Sequence, residues 1–161
     1  GASNMKIAYV EIDSLLTKYN FCKDVNEQMI KKEENIRTTL NEKAKKLEGE
    51  MREFERKIQN NGFATRERAE QEQARLLKQQ QELQQLQQKL AEELAMENQK
   101  NNLEMRDSIN SFLKVYNQTK GYDLIISNAG LDNLLYANPA FNITNEIVEG
   151  LNARYNPSIK K

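Results

Sequence analysis

The stretch IRTTLNEKAKKLEGEMREFERKIQNNG, residues 36–62, decides how the chain is read. Its apolar residues Ile36, Leu40, Ala44, Leu47, Met51, Phe54 and Ile58 step by threes and fours, the spacing that lines one helix face and forms the seam of a coiled coil. It closes on Asn60-Asn61-Gly62, a turn signal because asparagine and glycine tolerate positive φ. Upstream, Val25 and Met29 extend the stripe, and Glu33 interrupts it. Downstream a second stripe runs through Ala69, Leu76, Leu83, Leu86, Leu90 and Leu94, then resumes after polar Glu97 to Asn102 as Met105, Ile109, Phe112 and Tyr116. A chain folded back at the turn pairs positions of constant sum, and Phe54 with Ala69, Leu47 with Leu76, Leu40 with Leu83, and Met29 with Leu94 all sum to 123. The expectation is an antiparallel hairpin of two helices of about 35 to 40 residues, each some 50 to 60 Å long at about 1.5 Å per residue.

Proline placement supports this reading: Pro139 and Pro157 are the only two, so Ser14 to Lys120 has none. That stretch holds only Gly49 and Gly62 and is rich in Glu, Lys, Gln, Arg, Leu and Ala, the residues that lose least on entering a helix. Asp24 with Glu27 reads as an Asp capping box, Ser14 as the cap of a short helix over Leu15 to Tyr19, and Lys120-Gly121 as a helix stop. Gly49 costs about 1 kcal/mol relative to alanine and is read as tolerated. The glutamine-rich run Gln79 to Gln88 keeps its leucines at helical spacing and reads as a solvated face.

Outside the arms the pattern turns to β. Lys6 to Ile12 and Tyr122 to Ser127 read as strands, and Leu131 to Tyr136, after Asn128-Ala129-Gly130, is a third candidate able to make a hairpin with the second. Asn138-Pro139 breaks the chain, and Ile143 to Leu151 is helical, with Asn142 or Thr144 as cap. Capping is also the preferred reading of Asn142-Ile143-Thr144 over glycosylation. The fold class is therefore α+β: a small β body from both chain ends, residues 6–13 and 121–155, with a long projecting coiled-coil hairpin over 14–120 that turns near 60–64, and flexible ends 1–5 and 156–161. So small a sheet leaves apolar edges such as Leu124 to Ile126 needing cover, and self-association supplies it.

Composition removes whole classes of function. Hydrophobic residues are 38% of 161, below the roughly 45–50% of a compact domain, which suits an extended molecule. Twenty-four basic and 24 acidic residues cancel, so nothing in the net field holds a nucleic acid or an anionic membrane. There is no histidine and one cysteine, Cys22, which excludes Ser-His-Asp and Cys-His machinery, Cys/His zinc sites and an intrachain disulfide. Cys22 reads as a small buried hydrophobe. Gly62 and Gly130 stand alone, so no phosphate loop offers an ATP or cofactor site. Glu33-Glu34 and Glu92-Glu93 point about 100° apart on a helix and read as solvated faces, and no enzyme is expected. No apolar run approaches the roughly 20 residues of a bilayer span. Gly1-Ala2-Ser3-Asn4 has neither a basic nor an apolar region, as expected of a mature terminus after signal removal.

Lys6-Ile7-Ala8-Tyr9-Val10 opening into Ser14-Leu15-Leu16, then the helical hairpin, Tyr122-Asp123-Leu124-Ile125-Ile126 and Asn142-Ile143-Thr144-Asn145-Glu146-Ile147-Val148, together resemble the Skp/OmpH family of periplasmic chaperones. The resemblance implies a periplasmic homotrimer joined through the β body. Its three arms would enclose a cavity for unfolded outer-membrane proteins and work as a holdase without ATP. Familiar members are strongly basic and this chain is neutral, so lipopolysaccharide or anionic-membrane binding is not carried over. Off-seam Ile30 and Leu77 each follow a seam residue and point to one side of the hairpin, which makes them candidate client contacts. Phe63 at the turn either contacts clients or closes the seam. Ile7, Tyr9, Leu124, Ile125 and Ile126 are the candidate oligomerisation residues. The alternative is a coiled-coil scaffold or tether without chaperone activity.

Overall fold

The computed structural model describes residues 4–130 and 133–157. Strand β1 (Ile7–Glu11) leads into helix α1 (Ile12–Lys18), followed by the long helices α2 (Asn20–Gln59) and α3 (Arg66–Lys120), strand β2 (Leu124–Asn128), a 3-10 turn (Pro139–Phe141) and helix α4 (Thr144–Arg154). The chain divides into two compact units, residues 1–28 with 99–161 and residues 29–98.

The first unit is built on β1 and β2, which pair in parallel from Ile7↔Leu124 to Glu11↔Asn128. A parallel pair needs a long crossover, and here α1, α2 and α3 together provide it. On the other side of β1, Tyr9 bridges Asn142 and its carbonyl accepts the Ile143 amide at 3.0 Å. Leu15, Tyr19, Cys22, Ile147 and Leu151 are the largest fully buried side chains, so α1, the start of α2 and α4 share one core. Phe21 stacks on Tyr155 with centroids 5.4 Å apart, and Tyr19 meets both rings edge-on. Each such pair contributes about 0.5–1.5 kcal/mol beyond area burial.

Several local expectations are corrected. Helix α1 starts at Ile12, and Ser14 lies inside it rather than capping it. The Glu11 amide donates instead to Thr144 Oγ1 at 2.8 Å. Asp24 does not open α2, which begins at Asn20; its carboxylate accepts the Tyr155 hydroxyl at 2.8 Å. The corner between α1 and α2 is clipped by Asn152 of α4, which accepts from the Asn20 amide at 2.7 Å and donates to the Lys18 carbonyl at 3.1 Å. Leu131 and Asp132 of the expected third strand lie outside the described residues, and residues 133–136 form no strand. Asn133 donates to the Ser127 carbonyl at 2.8 Å and Asn128 accepts the Leu134 amide at 3.1 Å; these side-chain bonds replace the ladder a hairpin would need. Other signals hold. Helix α3 stops at Lys120 with Gly121 at φ +69°. The N-cap of α4 is Ile143 rather than Asn142 or Thr144; Asn142 Oδ1 instead accepts both the amide and the hydroxyl of Thr144, at 3.0 and 2.6 Å, a local turn ahead of the helix. Cys22 is buried, and burial pushes its thiol up to about 11.

The second unit, residues 29–98, is the antiparallel pairing of α2 with α3, crossed by ion pairs from Lys32 to Glu97 and from Glu50 to Arg75. Met29, Leu47 and Leu76 are its buried apolar residues. The register departs from the predicted one by about a turn: Leu47 shares a groove with Gln79 and Leu83, and Leu76 with Met51 and Phe54. The cause is the connection. Asn60 to Thr65 all lie outside the helices, so the fold-back point falls later than a tight turn at 60–62 places it. Asn61 takes the positive φ, at 53°, the Gly62 amide donates to the Lys57 carbonyl at 2.7 Å, and Thr65 Oγ1 accepts the Arg68 amide at 3.2 Å to start α3.

Candidate functional site

Two apolar grooves stand out, one in each unit. In the first, Leu15 and Leu16 of α1, Met105, Ile109 and Leu113 of α3, and Ile125 and Ile126 of β2 line an open hollow of about 540 Å³. The open edge of a two-stranded sheet and an aliphatic helix face thus meet in one place, with Arg106 as the charged group on the lining. Of the oligomerisation candidates, Ile125 and Ile126 are half-buried here and Leu124 is 47% exposed beside them. Ile7 is half-buried, whereas Tyr9 is buried within its own chain. Leu16, Met105 and Leu113 were missed as lining because helical spacing alone does not say which part of α3 returns to the sheet.

In the second unit Met51, Phe54 and Ile58 of α2 and Leu76 and Leu77 of α3 line a groove of about 370 Å³, with Glu55 and Gln73 on its rim. Leu77 is 52% exposed, Ile58 47% and Met51 36%. Sequence periodicity assigns Met51 and Ile58 to the seam, and the shifted register leaves both facing solvent. Ile30, 56% exposed, precedes Met51 by 21 residues and Ile58 by 28; multiples of seven keep all three on one face of a supercoiled helix. Phe63 packs against Phe54 with centroids 5.6 Å apart, and Lys57 sits 5.5 Å over its ring. It closes the seam end and remains half-buried.

The opposite side of the hairpin is polar. Arg75 joins Glu50 at 3.3 Å and also pairs with Glu72, and the neighbouring groove is lined by Lys43, Lys46, Gln79 and Glu82 beside Leu47 and Leu83. Exposed pairs of this kind contribute little stability because water and salt screen them, but they decide which side offers apolar atoms. In the first unit a recess over Glu11, Lys18, Thr144 and Glu146 gathers polar groups. The Thr144 hydroxyl there is committed to the Glu11 amide and Asn142, and the Lys120 ammonium, 3.0 Å from Glu146, holds that carboxyl below the usual carboxylate range. Among the described residues no group of three or more His, Cys, Asp or Glu could hold a metal ion, and no helix is long and apolar enough to cross a membrane.

A structural neighbour bears on the arrangement. The crystal structure of a candidate outer membrane chaperone (OmpH-like) from Caulobacter crescentus CB15 superposes with a TM-score of 0.83 over 96% of this chain and 88% of that one, at 18% identity. At that identity the likeness establishes the fold. Among curated proteins none matches the chain. The model of the family described as outer membrane protein (OmpH-like) matches residues 6–151, spanning both strands, both long helices and most of α4, and the chain accordingly belongs to the OmpH-like family.

Proposed function

We propose that the chain is an ATP-independent periplasmic holdase that keeps unfolded outer-membrane proteins from aggregating. The observation that carries this is the exposure of large apolar residues on one side of the hairpin, Met51, Ile58 and Leu77, on helices otherwise covered by balanced charge. Unfolded β-barrel proteins alternate apolar and polar residues and expose surface that aggregates in water. Shallow apolar contacts shield such a chain without trapping it. In this reading the strand-bearing unit assembles three copies through the groove at Ile125 and Ile126, and the hairpins are the arms between which the client is held. Several weak contacts on linked arms then act with raised effective concentration.

The test is light scattering of an unfolded β-barrel protein diluted from urea, with and without ATP, alongside particle mass. Protection without ATP by a trimer is expected. Ile125→Asp should weaken assembly, because a charge in an apolar interface is not solvated. A protein that assembles but gives no protection is a scaffold, and that result sinks the proposal.

A further inference from the structure

Resting on the holdase reading, we infer that the groove of Met51, Phe54, Ile58, Leu76 and Leu77 is the main client contact of each hairpin, and that its occupant is an extended, alternately apolar segment of an unfolded β-barrel protein. Three of the exposed large apolar residues of residues 29–98 converge on this one hollow, whereas Met96, 70% exposed, lines none of the grooves described. Its volume of about 370 Å³ is at the small end of the roughly 300–1,000 Å³ of ligand pockets, enough for a few side chains and not a folded surface. Its walls are Met, Leu, Ile and Phe, and the flexible thioether of Met51 adapts to differing shapes.

The rim argues for an extended backbone beside those side chains. Glu55 and Gln73 are its polar members: the carboxylate accepts backbone N–H groups, and the amide both donates and accepts. A strand presents unpaired groups of both kinds on each edge, with side chains at every second residue directed to one face. The Glu55 carboxylate disfavours an anionic headgroup at the same place. A second copy of this chain is also a poor occupant, since a stable interface needs roughly 20–30 residues a side and five apolar residues fall far short. The ion-paired opposite side, with Glu50, Arg75 and Glu72 engaged with one another, offers no comparable seat.

The experiment uses the full chain and a fluorescently labelled eight-stranded β-barrel protein diluted from urea. The variant Met51→Gln/Ile58→Gln/Leu77→Gln should bind this client about tenfold or more weakly, with particle mass and helical circular dichroism unchanged. Met96→Gln serves as the control and should bind as the parent does. In the otherwise native chain, a photoreactive benzophenone residue at position 58 should crosslink to the client, and one at position 96 should not. The crosslinking arm stands if the triple variant fails to fold. Parent binding with a triple variant within about twofold, or equal crosslinking from 58 and 96, overturns the groove assignment and leaves the holdase reading intact. A change of particle mass in the triple variant, or loss of binding to anionic phospholipid vesicles in place of the client, assigns the groove to another occupant and also overturns it. A parent chain that binds no client refutes the holdase reading itself.

Discussion

Replacing Gly150 by alanine and replacing Gly49 by alanine are the same chemical change on two helices, and the structure assigns them opposite signs. In an exposed helix interior the change gains about 1 kcal/mol from propensity. Nothing lies within 4 Å of a Cβ at Gly49, so Gly49→Ala keeps that gain. A Cβ at Gly150 falls 2.9 and 3.1 Å from Cε2 and Cε1 of Phe112 and nearer still to Cζ, inside the ~3.5–4.0 Å at which carbon atoms rest. The ring must move, and it is held by Tyr116 at 5.9 Å and by Arg154 at 5.8 Å over its face. Overpacking of this kind costs about 1–3 kcal/mol, which outweighs or at least cancels the propensity gain. In a chain of this size 1 kcal/mol shifts Tm by about 2–4 °C. Gly49→Ala should therefore raise the thermal midpoint by a few degrees and Gly150→Ala should leave it level or lower it, read by circular dichroism at fixed protomer concentration because assembly makes Tm concentration-dependent. Adding Phe112→Leu to Gly150→Ala should recover stability relative to the sum of the single changes, with a coupling of about 0.5–3 kcal/mol. If Gly150→Ala stabilises as much as Gly49→Ala, α4 does not pack on Phe112 and the account of the core is wrong.

Cys22 should resist iodoacetamide at pH 8 in the native protein and react once urea unfolds it; fast native labelling contradicts its burial. Its thiol is raised to about 11 by burial, and Tyr155 is raised to about 12, mainly by burial and then by the Asp24 carboxylate. Groups raised in the folded state contribute stability that is complete below their unfolded pKa and lost as pH climbs to the folded one, so the urea midpoint should fall between pH 9 and 12 and a flat profile counts against the assignment. Tyr155→Phe should cost about 1–2 kcal/mol by leaving half-buried Asp24 without its donor, measured in urea; an unchanged midpoint excludes that role. Asn152→Ala removes both bonds of the α1–α2 corner and should speed hydrogen exchange at the Asn20 amide by about tenfold or more, while amides in the middle of the hairpin stay protected.

What was legible in the sequence is what short-range physics determines. Heptad spacing, the absence of proline from Ser14 to Lys120 and the Lys120-Gly121 stop are local statements, and α2 and α3 follow them. Helix starts set by distant side chains were not legible: Asn20 is capped by Asn152, and Glu11 is met by Thr144, 133 positions away. Competition between a strand and side-chain bonds was equally hidden, and at residues 133–136 Asn128 and Asn133 won it. For the candidate site, Ile30 and Leu77 were visible because they break the seam pattern. Met51 and Ile58 were not, since their exposure depends on a register set by how many residues of the connection stay outside the helices.

The clip at Asn152 also orders events in time. The strand pair joins Ile7 to Leu124, a sequence separation that makes closure slow, whereas the hairpin forms from neighbours around a short connection and needs nothing from either end. A chain made amino end first therefore presents β1 long before its partner strand exists, and α4, which latches the first corner, comes last. Until then Tyr19, Phe21 and Cys22 have no lid, so a chain stopped short of Asn152 has a formed hairpin and an unlatched first unit. Pulse-labelling hydrogen exchange during refolding should find the amides of residues 40–58 protected first and those of residues 7–11 last.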